Sequence, residues 1–299
     1  MNVQPQPTLA ELDHAHVWHP FTPMRQWRQR EPLIIERAED EWLIDAEGNR
    51  YIDGVSSLWC NVHGHRVPEI DRAVREQLDR VAHTTMLGLS NVPATQLAAR
   101  LAAIAPGPLN KVFYSDAGAT ATELAFKMAV GYWYHRGQPQ RDTFVAVEGA
   151  YHGDTTGAMS VGYSETFHKP FEKLVFHTEF VTAPDPYHSE IGQSCCQRVP
   201  GVVRCNAAEQ AGRRRWALEC ANVTSMVRSV ALAELDQQLT RLGDRVAGVA
   251  VEPLVQGAAG IVVHPEGYLR GVEKVCREHG VLLIADEVAT GFGRTGAMF

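Results

Sequence analysis

Three short apolar runs constrain this chain most: Thr143–Val147, Val246–Val251 and Val281–Ala285. Each has the length of a strand, and each ends in a stretch rich in glycine and polar residues. Between them lie apolar residues at helical spacing, notably over Ala119 to Tyr134 and Pro265 to His279. Strands that alternate with helices predict a mostly parallel sheet covered on both faces, an α/β class. Lys111–Tyr114 is predicted as a further strand of the series. Ile70, Val74, Leu78 and Val81 predict a helix after Pro68, and Leu97, Leu101 and Ile104 another after Pro93.

The N-terminal pattern differs. Leu33-Ile34-Ile35, Trp42-Leu43-Ile44 and Tyr51-Ile52 are short apolar runs separated by Glu39-Asp40 and Glu47-Gly48-Asn49. This predicts a small antiparallel β-meander. The expected organisation is an N-terminal segment and meander over 1–59 and a larger domain over 60–299. Within the larger domain, about 189–230 is expected to be an insertion. Apolar periodicity is weak there, and Arg213-Arg214-Arg215 stands among cysteines.

Composition narrows the function classes. Lys and Arg total 28 against 35 Asp and Glu, a net charge of −7. That leaves no basic field for nucleic acid. The most apolar stretch, Val246 to Val263, contains Glu252, Pro253 and Gln256, so no membrane span is expected. Residues 1–30 lack a basic region followed by an apolar run, so no signal peptide is expected. Cys195, Cys196, Cys205 and Cys220 do not have the paired spacing of a zinc site. No metal is expected, and the thiols are expected to be reduced in a cytoplasmic setting.

Polar groups collect after the strands. Ser115-Asp116-Ala117-Gly118-Ala119-Thr120 is a tight turn of small residues opening a helix. Free amides at such a start bind phosphate, with Gly118 and Ala119 allowing close approach and Thr120 adding a hydroxyl. The alternative is an ordinary turn capped by Ser115 or Asp116. The segment lacks the G-x-G-x-x-G pattern, which disfavours a dinucleotide fold. Tyr151-His152-Gly153-Asp154 follows Val147 and offers an aromatic face with titratable neighbours. Glu252-Pro253 follows Val251. Asp286 follows five apolar residues and needs a buried partner, since an unpaired charge there costs several kcal/mol. A protonated heterocyclic nitrogen, such as the pyridinium of pyridoxal phosphate, is one such partner. Arg294, in Gly291-Phe292-Gly293-Arg294-Thr295-Gly296, has a planar fork suited to a carboxylate.

Together these motifs resemble the class III aminotransferases of PLP fold type I. Trp18-His19-Pro20-Phe21-Thr22, Ser56-Ser57-Leu58-Trp59 and Val255-Gln256-Gly257-Ala258 are most similar to the members that act in biotin synthesis. The resemblance implies pyridoxal 5'-phosphate as cofactor. It also implies transfer of the amino group of S-adenosylmethionine to 8-amino-7-oxononanoate, giving 7,8-diaminononanoate, and a homodimer in the intact family. By resemblance, Gly118, Ala119 and Thr120 hold the phosphate, and Tyr151 packs on the ring. Asp286 meets the ring nitrogen, and Val288 backs the other ring face. Glu252 sits near the cofactor. Phe21 and Trp59 line the substrate pocket, Asp154 supports the Tyr151 loop, and Arg294 takes the substrate carboxylate. Some members have Tyr at the position of Phe21, so a hydroxyl is lost here.

The family's Schiff-base lysine lies after the Gly-Phe-Gly-Arg-Thr-Gly motif. The lysines here are Lys111, Lys127, Lys169, Lys173 and Lys274, and none follows Asp286. The expectation is a C-terminally truncated chain that carries the pocket without that lysine or the C-terminal small domain, and is inactive by itself. Another ω-aminotransferase, acting on β-alanine or a diamine, and a non-catalytic remnant are the alternatives.

Overall fold

A computed structural model describes residues 6–188 and 210–299, and nothing is said of side chains in 210–221. The chain divides into two compact units, Met1–Thr95 and Gln96–Phe299.

In the first unit, β1 (Ile35–Glu39), β2 (Trp42–Asp45) and β3 (Arg50–Ile52) form the expected antiparallel meander, in that order. Leu43 stands opposite Ala38 on one side and Tyr51 on the other. The carboxylate of Asp45 closes the β2–β3 turn. It accepts the backbone N–H of Glu47 at 3.0 Å and of Asn49 at 2.8 Å, and the Tyr51 hydroxyl at 3.0 Å. The Asn49 side-chain amide also donates to it at 2.9 Å, and that bond, with the others, holds its carboxyl below the usual range. Helix α1 (Leu9–His16) starts with a capping box between Thr8 and Glu11. Helix α2 (Pro68–Leu78) begins at the proline whose missing N–H suits a first turn.

The first unit runs on to Thr95. Hydrogen bonds explain why residues beyond 59 stay with the meander. His65 N–H donates to Asp40 O at 2.7 Å, Asp40 N–H donates to His65 O at 3.2 Å, and His65 Nε2 meets Asp53 Oδ2 at 2.8 Å.

In the second unit, β4 (Thr143–Val147), β5 (Thr178–Val181), β6 (Val246–Val251) and β9 (Leu282–Ala285) form a four-stranded sheet in the order β5-β4-β6-β9. All three pairings are parallel. A short hairpin of β7 (Val255–Gln256) and β8 (Val262–Val263) follows β6. The period of two in the strands sorts their side chains to opposite faces. Val145, Val147, Val249 and Val251 pack under α6 (Gln210–Leu242) and α7 (Tyr268–Glu278), through Leu235, Leu239, Val272 and Cys276. Phe144, Ala146 and Ala250 pack under α4 (Gly118–His135), through Phe126, Ala129 and Trp133. Trp133 Nε1–H donates to Ala247 O at 2.8 Å and pins α4 to β6. Val92–Ile104 forms α3 and Thr156–Val161 forms α5. The α/β class with helices on both faces stands.

Some sequence expectations need correction. Lys111–Tyr114 forms no strand, because no described strand pairs with it, and a strand exists only through a neighbour's ladder. Thr178–Val181 is an edge strand that composition does not announce. From Gln210 onward the segment expected to be irregular is helical, and Val227 on it is buried. The remainder of that segment, including Cys195, Cys196 and Cys205, lies outside the described residues. Among the described residues no helix is long and apolar enough to cross a membrane, and no group of three or more His, Cys, Asp or Glu could hold a metal ion.

Candidate active site

Parallel pairing brings the carboxyl ends of β4, β6 and β9 to one edge of the sheet, where such folds place their ligands. Three loops leave that edge: Glu148 to Thr155, Glu252 to Gly257, and Asp286 to Thr290. The start of α4 meets two of them. A Cβ on Gly118 would stand 2.8 Å from Val288 Cγ2, and one on Gly153 would stand 2.4 Å from Ala119 Cβ. Gly153 also has φ of 116°, a region that favours glycine. Glycine at these two positions lets the Val288 side chain and Ala119 come so close. The first amides of an 18-residue helix therefore open beside Val288 and the Tyr151 loop. The Thr120 hydroxyl braces this turn. It accepts the Ala117 N–H at 3.0 Å and donates to Asp116 Oδ1 at 2.7 Å, which holds the Asp116 carboxyl below its usual range.

Glu252 joins two of the loops. It is only 5% exposed, and its oxygens accept the Tyr151 N–H at 2.9 Å and the Gly257 N–H at 2.8 Å. Burial pushes its carboxyl up, against the pull of the two amides. Gln256 is fully buried and ties the same region together, its Nε2 donating to Glu148 O at 3.0 Å.

Asp286 is held on both oxygens. Its Oδ1 accepts the Val288 N–H at 3.1 Å, and its Oδ2 lies 2.8 Å from His152 Nδ1. The His152 side chain is 1% exposed and that of Asp286 is 10% exposed. The buried partner that Asp286 needs is thus supplied by the protein itself, from the end of β4. Sequence reasoning placed His152 on this rim but gave it no role. No sequence signal pairs it with Asp286, because only the strand order, with β4 and β9 flanking β6, brings the two loops to the same edge.

Tyr151 is partly exposed, and its hydroxyl donates to Asp154 Oδ2 at 2.6 Å. Burial, then Asp154, pushes the phenol well up, so it stays protonated and keeps donating. Asp154 in turn lies 3.7 Å from Nε2 of the buried His168. Gly118, Ala119, Thr120, Tyr151, Asp154, Glu252, Asp286 and Val288 thus belong to one neighbourhood of the second unit. Arg294 lies on the exposed turn that follows, which the Phe292 N–H closes by donating to Met298 O at 2.7 Å. All five lysines are exposed, and Lys274 pairs with Glu278 at 3.7 Å.

Phe21 and Trp59 belong to the first unit. Phe21 is 72% exposed and has φ of 50°. Its segment is anchored by Asp13, which accepts Trp27 Nε1–H at 2.7 Å and meets His19 Nε2 at 2.8 Å. Trp59 ends a run of four left-handed residues, Ser56 to Trp59, with φ of 44°, 43°, 58° and 73°. Such a run costs roughly 1–2 kcal/mol per residue. Asp53 sustains it, accepting both the backbone N–H and the hydroxyl of Ser57 at 2.8 Å.

Residues 24–299 match the family described as Aminotransferase class-III. The adenosylmethionine-8-amino-7-oxononanoate aminotransferase of Geobacter sulfurreducens is 47% identical, over 98% of this chain and 58% of its own length. The crystal structure of the protein of that name from Methanocaldococcus jannaschii aligns with a TM-score of 0.80 at 40% identity, covering 97% of this chain and 57% of that one. An (S)-enantioselective ω-transaminase from Thermomicrobium roseum aligns with a TM-score of 0.82 at 36% identity, covering 97% and 59%. The chain therefore spans about 58% of the length of such relatives. With its parallel sheet, its strand-end carboxylate and a match over nearly its whole length, the chain belongs to the class III aminotransferases.

Proposed function

We propose that this chain binds pyridoxal 5'-phosphate, the cofactor of its family, and serves the biotin-pathway reaction that moves an amino group from S-adenosylmethionine to 8-amino-7-oxononanoate. The observation that carries the cofactor assignment is the doubly anchored Asp286 beside a glycine-opened helix start. The residues fit the group. Gly118 and Gly153 let Val288 and the Tyr151 loop close in on the first turn of α4, whose amides are suited to a phosphate. The Asp286 carboxylate keeps lone pairs for a ring N–H after accepting two bonds.

When bound, this cofactor supplies an electron sink for a substrate carbon that is losing its proton. The chain's own residues prepare that chemistry. Asp286 would hold the proton on the ring nitrogen, and the Gly118–Thr120 turn would anchor the phosphate. Tyr151, steadied by Asp154, and Val288 would flank the ring. Glu252 holds the Tyr151 loop to the β6 loop rather than touching the reacting atoms, which accounts for both its oxygens accepting backbone amides.

The substrate assignment rests on relatives whose names give the same two compounds. Phe21 and Trp59 are assigned to the substrate pocket and Arg294 to the oxononanoate carboxylate. The strained run ending at Trp59 supports a functional role there, since such strain concentrates at ligand sites. A homodimer and a cytoplasmic setting belong to the same proposal, and the free thiols Cys60 and Cys276 suit a reducing compartment. None of the five exposed lysines is assigned the Schiff-base role.

Three measurements test this. Calorimetric titration with pyridoxamine 5'-phosphate needs no lysine and reads the cofactor site alone. On the loaded chain, 8-amino-7-oxononanoate is expected to raise the melting temperature more than β-alanine or a diamine does. The reverse order overturns the substrate assignment. A borohydride-trapped lysyl adduct that supports turnover overturns the reading of the lysines.

A further inference from the structure

His152 presents an unusual combination. Its ring is almost wholly buried, Nδ1 meets Asp286 Oδ2 at 2.8 Å, and Nε2 has no hydrogen-bond partner. A carboxylate only accepts, so Nδ1 carries the hydrogen and the Nε2 lone pair is left in a dry site. A phenyl ring would fill nearly the same space without stranding a polar atom. What the imidazole adds is the single bond to Asp286.

The backbone around that bond is fixed. Thr122 Oγ1–H reaches both His152 O, at 3.2 Å, and Gly118 O, at 2.9 Å, tying the histidine to the first turn of α4. Asp286 N–H donates to Val251 O at 2.9 Å, continuing the sheet geometry past β9. The remaining freedom is rotation of the Asp286 carboxylate, which the Val288 N–H restrains from one side only. Glu252 lies close enough to interact electrostatically with both His152 and Asp286, but its own oxygens are taken by amides. It is therefore not the group that holds Asp286.

We propose that His152 is the positioning residue of this site, an Nδ1–H donor that fixes the Asp286 carboxylate in the orientation from which it meets the cofactor's ring nitrogen. The proposal rests on the cofactor assignment above. It adds a residue two strands away from Asp286 in the sheet, and it makes the orientation of Asp286 depend on the β4 loop.

The test titrates pyridoxamine 5'-phosphate into the wild-type chain, His152→Phe, His152→Asn, Asp286→Asn and the His152→Phe/Asp286→Asn double variant. His152→Phe is expected to weaken binding by roughly tenfold, as loss of a hydrogen bond to a charged group does. The Asn side-chain amide can occupy the position of Nδ1, so His152→Asn is expected to restore most of that loss. The double variant is expected to be no weaker than Asp286→Asn alone, because the histidine acts through the aspartate. Independently of any ligand, the side-chain ¹⁵N spectrum should show His152 as the Nδ1–H tautomer, and Asp286→Asn should perturb it. This measurement decides the matter if His152→Phe fails to fold.

Wild-type affinity in His152→Phe, with binding lost in Asp286→Asn, overturns the proposal and leaves the cofactor assignment standing. An Nε2–H tautomer also overturns it. A wild-type chain that does not bind the probe overturns the cofactor assignment, and the proposal with it.

Discussion

The two units keep their candidate site residues in place by different means. The second unit buries two hydrophobic clusters, one on each face of its sheet, and its strand ends emerge from that core. In the first unit, among the described residues, Ile44 is the buried hydrophobic residue, and Ile70, Val74 and Leu78 along α2 are exposed. Asp286, Glu252 and His152 are thus set by a packed scaffold. Trp59 and Phe21 are set by local devices, Asp53 under a left-handed run and Asp13 under an aromatic pair. Strands can position groups to a fraction of an ångström because many contacts over-determine them, whereas a loop depends on a few hydrogen bonds.

This contrast can be broken or sharpened by substitution. The largest effect is expected at Leu235, which is 1% exposed beneath the sheet. Leu235→Ala should cost about 2–5 kcal/mol, read from urea unfolding. A loss below about 1 kcal/mol would mean that the core collapses around the gap.

His264 comes next. Burial pushes its imidazole down to about 4 from 6.5, so the folded unit excludes a proton that the unfolded chain takes up. Its contribution is present above pH 6.5 and is lost as pH falls toward 4. The loss is about 3 kcal/mol for a shift of this size. His264→Phe should remove that part of the acid sensitivity, seen as a flatter stability profile over the same window.

Glu252 has the opposite sign. Its folded carboxyl lies above the usual 4.5, so the folded state binds the proton more tightly. Its contribution is greatest below 4.5 and is lost as pH rises through the elevated value. The stability of the wild type relative to Glu252→Gln should therefore fall with rising pH across that window. A rise would show that the two amides outweigh burial.

The smallest effect is expected in the first unit. Leu78 is 58% exposed on α2, and Leu78→Ala should change stability by less than about 0.5 kcal/mol. A larger loss would show that this apolar face is covered in solution.

Much of this architecture was legible because its strands are uninterrupted apolar runs. Thr143–Val147 and Val246–Val251 have the bounds their composition suggests, and Leu282–Ala285 differs by one residue. The rest was hidden for physical reasons. Lys111–Tyr114 has strand composition without a ladder partner, and composition carries no information about a neighbour. Thr178–Val181 sits at the edge with Glu179 in its middle, where Arg241 and His177 satisfy the charge. In α6 the signal was present in Val227, Ala231, Leu235 and Leu239, four residues apart and all buried, but it was obscured by the preceding arginine and cysteine cluster. At the site, Asp286 demanded a buried partner, which sequence could state but not identify. His152 lies in another loop, and only the order β4-β6-β9 brings it near.

The central claim is that the common strand edge of the second unit is a pyridoxal phosphate site organised around Asp286. Titration of the 299-residue chain with pyridoxamine 5'-phosphate tests it most directly. The expected result is saturable binding that inorganic phosphate displaces and that Asp286→Asn weakens by at least about tenfold. Absence of binding by the wild-type chain, or equal binding by Asp286→Asn, would contradict it.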